Sequence, residues 1–240
     1  MKRHRTILSE ELTRKRIEES IYLRSIYREI YAQFFRLSGD NSELRVLEIG
    51  SGGTSFASEF WPNVTQTSYS WEGGMSAEKI EFPRNSFDLI ISKDVLHHIK
   101  NVPNAFREFN RVLGSEGVVL ASEPSWSLLG RLVYKFFHQE PWEVTEEFVL
   151  NSNNPWDSNQ ALIWNLLRVS DSRRRDILNG FELKIRESTY GLSYLLSGGV
   201  HSPTKIPPNI LYRLHKRLGI ITRKFDLIFS LNRIVEFKKS

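Results

Sequence analysis

Two adjacent histidines, His97 and His98, lie in the segment "DVLHHI" and are the side chains best suited to proton transfer in this sequence. Histidine titrates nearest to neutral pH, so either imidazole could act as a general base towards a hydroxyl. The alternative is structural, since either ring could orient the loop or pack beneath a ligand. Both are therefore candidate catalytic residues.

The stretch "VLEIGSGGTS", Val46 to Ser55, is an apolar run that passes into a glycine-rich turn and carries a single acid, Glu48. The glycines allow the backbone to approach a ligand closely. The third glycine of the dinucleotide-binding pattern G-x-G-x-x-G is missing, because Ser55 occupies that position. A carboxylate here would repel a pyrophosphate by about 1–4 kcal/mol at roughly 4 Å separation. The turn therefore predicts a positively charged ligand.

The sequence contains no cysteine, which excludes disulfides, thiolate nucleophiles and cysteine-based metal sites. A metal site built from His97, His98, Glu123 and His138 would lack compact ligand spacing, so we predict none. No run approaches ~18 consecutive apolar residues, and the first residues lack the apolar stretch of a secretory signal. We expect a cytoplasmic protein without a transmembrane segment.

Positive charge is concentrated at the two ends of the chain. Residues 1–38 contain nine Lys and Arg against five acids, and residues 204–240 contain nine against two. Such ends could contact an anionic partner, but solvated faces of terminal helices are commoner and the aromatic pattern of an RNA module is missing. We expect no nucleic-acid partner. The basic segment "NILYRLHKRLGIITRKF" could lie on an anionic membrane, although it is more typical of a helix that flanks a sheet.

Strand and helix patterns alternate along the middle of the chain, which predicts a Rossmann-like α/β fold with a doubly wound, mostly parallel sheet. Apolar residues at helical spacing over 7–37 predict a helical N-terminal extension. Seven strands are predicted, at 44–49, 64–70, 77–82, 86–92, 117–123, 181–188 and 229–239. We expect one domain that comprises the extension (1–43), a core (44–138), a helical cap or insertion after the fifth strand (139–180), and C-terminal strands and a helix (181–240).

The stretch "VLEIGSGGTS" resembles motif I of the class I S-adenosylmethionine-dependent methyltransferases, E/D-x-G-x-G-x-G, with Thr54 in place of its third glycine. The resemblance continues through "FPRNSFDLIISKDVLHHIKNVPNAFREFNRVLGSEGVVLASEP", residues 82–124, which is similar to the family's fourth and fifth strands and their connection. It implies S-adenosylmethionine as the cofactor, S-adenosylhomocysteine as the product and a cofactor-binding core over 44–138. The chain is most similar to the small-molecule, type 11-like branch.

The resemblance also implies a set of cofactor-binding residues. The family's ribose-binding acid after the second strand is replaced near Ser68, with Glu72 the first acid available, and Ser76 stands where an aspartate is usual. Tyr69 or Trp71 could complete the recognition of adenosine. The expected cofactor-binding residues are Glu48, Gly50, Ser51, Gly52, Gly53, Ser68, Glu72, Ser76 and Asp94.

The implied reaction is methyl transfer to a small-molecule acceptor, such as an intermediate of glycan or secondary-metabolite assembly, through oxygen, nitrogen or carbon. One alternative is an inactive protein that uses the fold for binding. Another is an RNA methyltransferase, which is disfavoured because "KDVL" replaces the proline–aromatic motif of base-methylating enzymes. His138 and His201 could reach over the acceptor, and Glu123 could face it or begin a helix. The aromatic residues after the fifth strand could line the acceptor pocket or form a small core.

Overall fold

The computed structural model describes residues 10–52, 54–68, 74–138, 141–150, 161–200 and 205–239. In these ranges the chain forms one sheet of six strands, in the order β2-β1-β3-β4-β6-β5. The strands β1 to β4 pair in parallel, and β6 lies antiparallel between β4 and β5. The strands are β1 Val46–Ile49, β2 Thr65–Thr67, β3 Phe87–Lys93, β4 Leu113–Pro124, β5 Phe181–Tyr190 and β6 Asn232–Lys239.

Helices cover both faces of the sheet, as predicted for a doubly wound fold. Strand β3 shows this most directly: Ile90 packs into the apolar cluster on one face, while Leu89 and Ile91 pack into the cluster on the other. The helices are α1 Glu10–Glu19, α2 Ile21–Leu37, α3 Val102–Val112, α4 Leu128–Phe136, α5 Leu162–Arg168, α6 Asp171–Ile177, α7 Leu192–Ser197, α8 Pro208–Lys224 and α9 Asp226–Phe229. The helices α3, α5 and α6 contribute to the first cluster, and α2 and α8 to the second.

The predicted N-terminal helix is two helices, because Ser20 starts a new one. The Ser20 hydroxyl accepts a hydrogen bond from the backbone N–H of Leu23 at 3.2 Å, which caps α2. The apolar face of α2 then covers the sheet, with Ile26, Ile30 and Phe34 each at most 1% exposed. The predicted extension is therefore an integral layer of the fold.

The strand predicted over 77–82 is wrong, and the described sheet has six strands instead of seven. The segment forms a turn with one isolated bridge, between Ser76 and Lys79. Its backbone is held by side chains of α3, since Arg111 donates to the carbonyls of Ile80 (2.6 Å) and Phe82 (2.7 Å). Glu108 accepts from the N–H of Ile80 at 2.9 Å. Because these groups are satisfied by side chains, the segment does not need a neighbouring strand.

The described part of the predicted helical cap packs into the core of the sheet. The side chains of Ile163 and Leu166 in α5 are at most 1% exposed and belong to the same apolar cluster as Phe106 of α3. Residues 161–177 therefore flank the sheet. Residues 139, 140 and 151–160 lie outside the described residues, so a cap over the site stays a prediction for that part.

Candidate functional site

The carboxyl ends of the parallel strands bring the predicted site residues to one edge of the sheet. Glu48 of β1 lies opposite Gln66 of β2, and Lys93 of β3 lies opposite Ser122 of β4. Strand β6 begins at this edge, because it is antiparallel and Asn232 pairs with Pro124. Open α/β sheets bind ligands at this edge, which makes it the candidate functional site.

The glycine turn adopts backbone angles that favour glycine, with φ of 70° at Gly50 and 54° at Gly52. A side chain at Gly50 would also clash, since its Cβ would lie 2.6 Å from Cγ2 of Val95. The N–H of Ser51 donates to the carbonyl of Thr67 at 2.9 Å, which ties the turn to the end of β2. The turn is therefore fixed between β2 and the loop that follows β3.

Buried hydroxyls without a partner accompany this turn. Within the described ranges, the hydroxyls of Ser51, Ser92 and Ser122 are buried and have no hydrogen-bond partner. Serines 92 and 122 lie near the carboxyl ends of β3 and β4, as Ser51 does beyond β1. An unpaired buried hydroxyl costs free energy. These hydroxyls could therefore form hydrogen bonds with a polar ligand at this edge. The hydroxyl of Ser51 lies within the turn itself.

Glu48 is buried beneath the turn at 1% exposure, and its carboxylate is engaged by the chain itself. It accepts hydrogen bonds from the hydroxyls of Tyr31 and Ser55, both at 2.5 Å, and from the amide of Gln66 at 3.0 Å. Burial raises the pKa of Glu48 above its usual value, and the three hydrogen bonds offset only part of this effect. Glu48 thus joins α2, the turn and β2. Direct contact between Glu48 and a ligand stays a prediction.

Glu123 at the end of β4 orders the loop that carries the histidine pair. One carboxylate oxygen accepts from the backbone N–H groups of Val95 (3.1 Å) and Leu96 (2.8 Å). The other lies 2.7 Å from Nδ1 of His97, and both side chains are buried. The His98 ring is more exposed, and its centroid lies 4.2 Å from that of His97. His97 is therefore the more buried of the two rings, and its carboxylate partner Glu123 fixes its orientation.

Asp94 links the same loop to the C-terminal part of the chain. Its backbone has φ of 55°, and its N–H donates to the carbonyl of Ser122 at 2.8 Å. Its carboxylate accepts from Lys93 Nζ at 2.5 Å and from the amide of Asn232. Burial opposes ionisation, but the Lys93 ammonium outweighs it together with the other hydrogen bonds, so the pKa of Asp94 lies below its usual value.

Three tyrosines surround this charged pair. The ammonium of Lys93 lies 3.9 Å from the centroid of the Tyr27 ring, a cation–π contact. Tyr190 stacks on Tyr194, with ring centroids 4.3 Å apart, and its hydroxyl lies 3.5 Å from Oδ2 of Asp94. Burial raises the pKa of each of these phenols, so they stay neutral. The result is a polar, aromatic wall beside the His97 loop.

Several of these residues were missed by sequence reasoning. Lys93 could have been found from its place directly after a buried strand. Tyr27, Tyr190, Tyr194 and Asn232 carry no local signal, because only the packing of α2, β5, α7 and β6 brings them to the edge.

The remaining predicted residues are placed as follows. Ser68 is buried directly after β2, whereas Ser76 lies in the turn before β3, where its hydroxyl accepts from the N–H of Glu78 at 3.2 Å. The ring of His138 contacts Tyr134, and Tyr134 stacks on Trp142, which favours the small-core interpretation of these aromatics. Five residues named from the sequence lie outside the described residues: Gly53, Tyr69, Glu72, Trp71 and His201.

The described residues contain no group of three or more His, Asp or Glu arranged to hold a metal ion. Across the same ranges, no helix is both long and apolar enough to cross a membrane.

Comparison with known proteins matches residues 21–192 to the family model described as a methyltransferase domain. The uncharacterized methyltransferase YcgJ of Bacillus subtilis (strain 168) is 31% identical over 134 residues, which cover 47% of this chain and 48% of that protein. The matched part therefore spans about half the length of this relative.

The crystal structure of YcgJ aligns with a TM-score of 0.43 at 17% identity, covering 88% of this chain and 98% of that chain. A SAM-dependent methyltransferase from Archaeoglobus fulgidus aligns with a TM-score of 0.50 at 12% identity, covering 89% of this chain and 94% of that chain, and this likeness shows the fold.

Proposed function

This chain belongs to the methyltransferase-domain family, and on that premise we propose that it transfers a methyl group from S-adenosylmethionine to a small-molecule acceptor. The observation that carries the proposal is the contact between the glycine turn and the histidine loop. Val95 packs against Gly50, and Glu123 holds the same loop and His97. A ligand on the turn and a base on the loop would therefore be neighbours.

The residues of the turn fit the proposed cofactor. Gly50 and Gly52 leave room for a close approach, and the buried Ser51 hydroxyl is available to a polar ligand because it has no partner among the described residues. Ser68 and Asp94 flank the turn from the ends of β2 and β3. When bound, S-adenosylmethionine supplies an electrophilic methyl group on a positively charged sulfur. Its positive charge suits the Glu48 carboxylate beneath the turn, whereas the Asp94 carboxylate is already paired with Lys93.

His97 is the preferred base, with His98 as the other candidate. In the neutral ring, a carboxylate at Nδ1 favours the proton on that nitrogen and leaves the lone pair on Nε2. Nε2 is then the atom that would take the proton of an acceptor hydroxyl or amine. Glu123 also stabilises the imidazolium that results. Much of the remaining acceleration would come from holding the acceptor in line.

The acceptor is proposed to lie between the histidine loop and the tyrosine wall of Tyr27, Tyr190 and Tyr194. Neutral phenols and the Lys93–Asp94 pair offer hydrogen bonds and ring faces, which suit a polar small molecule such as an intermediate of glycan or secondary-metabolite assembly. Oxygen, nitrogen and carbon acceptors are all compatible with this wall.

One observation favours a second candidate, a binding protein without catalytic activity. The Glu48 carboxylate already accepts three hydrogen bonds from the chain, which leaves about one lone-pair position for a ligand. In that case the fold would serve recognition alone.

The test of the proposal is the formation of S-adenosylhomocysteine from S-adenosylmethionine with pools of small hydroxyl and amine acceptors. We expect turnover in the wild type, a loss of about 10²–10⁴-fold in His97→Ala, and a smaller loss in His98→Ala. Equal turnover in the wild type and His97→Ala would contradict the assignment of the base. Tight cofactor binding with no turnover on any pool would instead favour the binding protein.

A further inference from the structure

An exposed apolar surface lies on α4, α9 and the C-terminal end of α8, and it is called here the α4–α9 face. Helix α9 packs against both of the other helices, which brings their exposed side chains to one region of the surface. On α4, Leu128, Leu132 and Phe136 are spaced four residues apart and lie on one side. The most exposed members of the face are Phe136, Phe137, Ile220 and Leu227, at 64%, 74%, 62% and 63%. Surfaces of this kind mark interaction sites.

Within α4, α9 and the last turn of α8, most of the charged side chains are positive. Arg131 and Lys135 of α4 and Arg223 and Lys224 of α8 are exposed. The one acid in α4, α9 and the last turn of α8 is Asp226, and it pairs with the buried Arg233 at 2.7 Å. The face therefore presents net positive charge around an apolar centre.

We propose that the α4–α9 face docks on an anionic lipid bilayer. Apolar and phenylalanine side chains that project between lysines and arginines are the pattern by which helices lie in the interface of negatively charged membranes. A second copy of the chain fits less well, because a twofold contact would bring two faces of the same positive charge together. Helix α8 packs into the protein through one side and leaves another side exposed, since Leu211 and His215 are buried while Ile220 is exposed.

The position of the face connects it to the carboxyl edge of the sheet. Helix α4 follows the end of β4, and α9 precedes the start of β6 at the same edge. The hydroxyl of Tyr134, on the buried side of α4, donates to the side chain of Asn232 at 2.7 Å, and Asn232 donates to Asp94. Docking would thus bring the candidate site close to the lipid surface. The docking itself does not depend on the proposed catalytic activity.

The test is co-sedimentation of the full chain with vesicles of phosphatidylcholine alone and of equal parts phosphatidylcholine and phosphatidylglycerol. We expect binding to the anionic vesicles, weaker binding at high salt and little binding to phosphatidylcholine. The variant Lys135→Glu/Lys224→Glu should bind at least about 25-fold more weakly, on the basis of roughly fivefold per charge. The control Arg107→Glu/Arg175→Glu, on α3 and α6, changes the net charge equally and should bind like the wild type.

Three results would overturn the proposal. The first is failure of the wild type to bind anionic vesicles at low salt. The second is equal loss in the control variant, which would show that net charge alone drives binding. The third is a concentration-dependent dimer that Phe136→Ser/Leu227→Ser converts to monomer while vesicle binding is unchanged, because a second copy would then cover the face. Thermal unfolding of each variant confirms that it is folded, and all of the substituted side chains are exposed.

Discussion

Glu123→Ala is expected to destabilise the protein strongly, because Glu123 is the acceptor for three donors of the histidine loop, two of them buried. The variant would leave the N–H groups of Val95 and Leu96 and the Nδ1–H of His97 without this partner. An unsatisfied buried donor costs about 1–3 kcal/mol. Since water can reach part of the loop, the total loss should be about 3–6 kcal/mol of the free energy of unfolding, a large fraction of the roughly 5–15 kcal/mol typical of a domain.

Glu123→Gln distinguishes the hydrogen bonds that Glu123 makes to the loop backbone from its contact with His97. The glutamine oxygen can still accept from Val95 and Leu96, so the loss should be only about 1–2 kcal/mol. Its amide would face His97 with a donor, which favours the wrong tautomer for a base. Equilibrium unfolding in urea measures both variants, with Glu116→Ala as the control, because Glu116 is an exposed acid of the same strand. If Glu123→Ala matched this control within about 1 kcal/mol, Glu123 would not anchor the loop.

Two further predictions concern the same edge. Gly50→Ala should cost about 1–3 kcal/mol more than Gly39→Ala, since both positions have positive φ but only Gly50 would clash with Val95; equal unfolding midpoints would contradict the clash. A carboxyl whose pKa is lower in the folded state stabilises it above the unfolded pKa and loses this effect as pH falls through the folded pKa. Asp94→Asn should therefore be less stable than the wild type at pH 7. The difference should shrink as pH falls below the usual 3.8 and vanish only below the lowered pKa of the folded state, which urea unfolding at several pH values would show. Asp40→Asn, exposed and also at positive φ, is the control, and a difference for Asp94→Asn that is constant with pH would count against the ion pair with Lys93.

The elements of the fold that have a clear local sequence pattern were predictable from the sequence. The buried runs around Glu48, Ile90 and Leu120 became parallel strands, and the glycine turn follows the first of them as expected. The strand predicted over 77–82 failed because Arg111 and Glu108 on α3 satisfy its backbone, and no local pattern records such a distant partner.

The sequence named several residues of the candidate site but not the contacts between them. His97, Asp94, Glu48 and Glu123 were all named from the sequence. Their partners come from elsewhere in the chain, as Asn232 does for Asp94, because the antiparallel register of β6 sets that contact. The enclosure of Glu48 by Tyr31 likewise depends on how α2 packs on the sheet.

The most direct test of the central proposal is a calorimetric titration of the purified protein with S-adenosylmethionine and, separately, with S-adenosylhomocysteine. The fit of the glycine turn predicts micromolar binding of both ligands, as does the Ser51 hydroxyl, which has no partner among the described residues. Absence of binding to either ligand at millimolar concentration would contradict the proposal and leave the fold as a binding scaffold for something else.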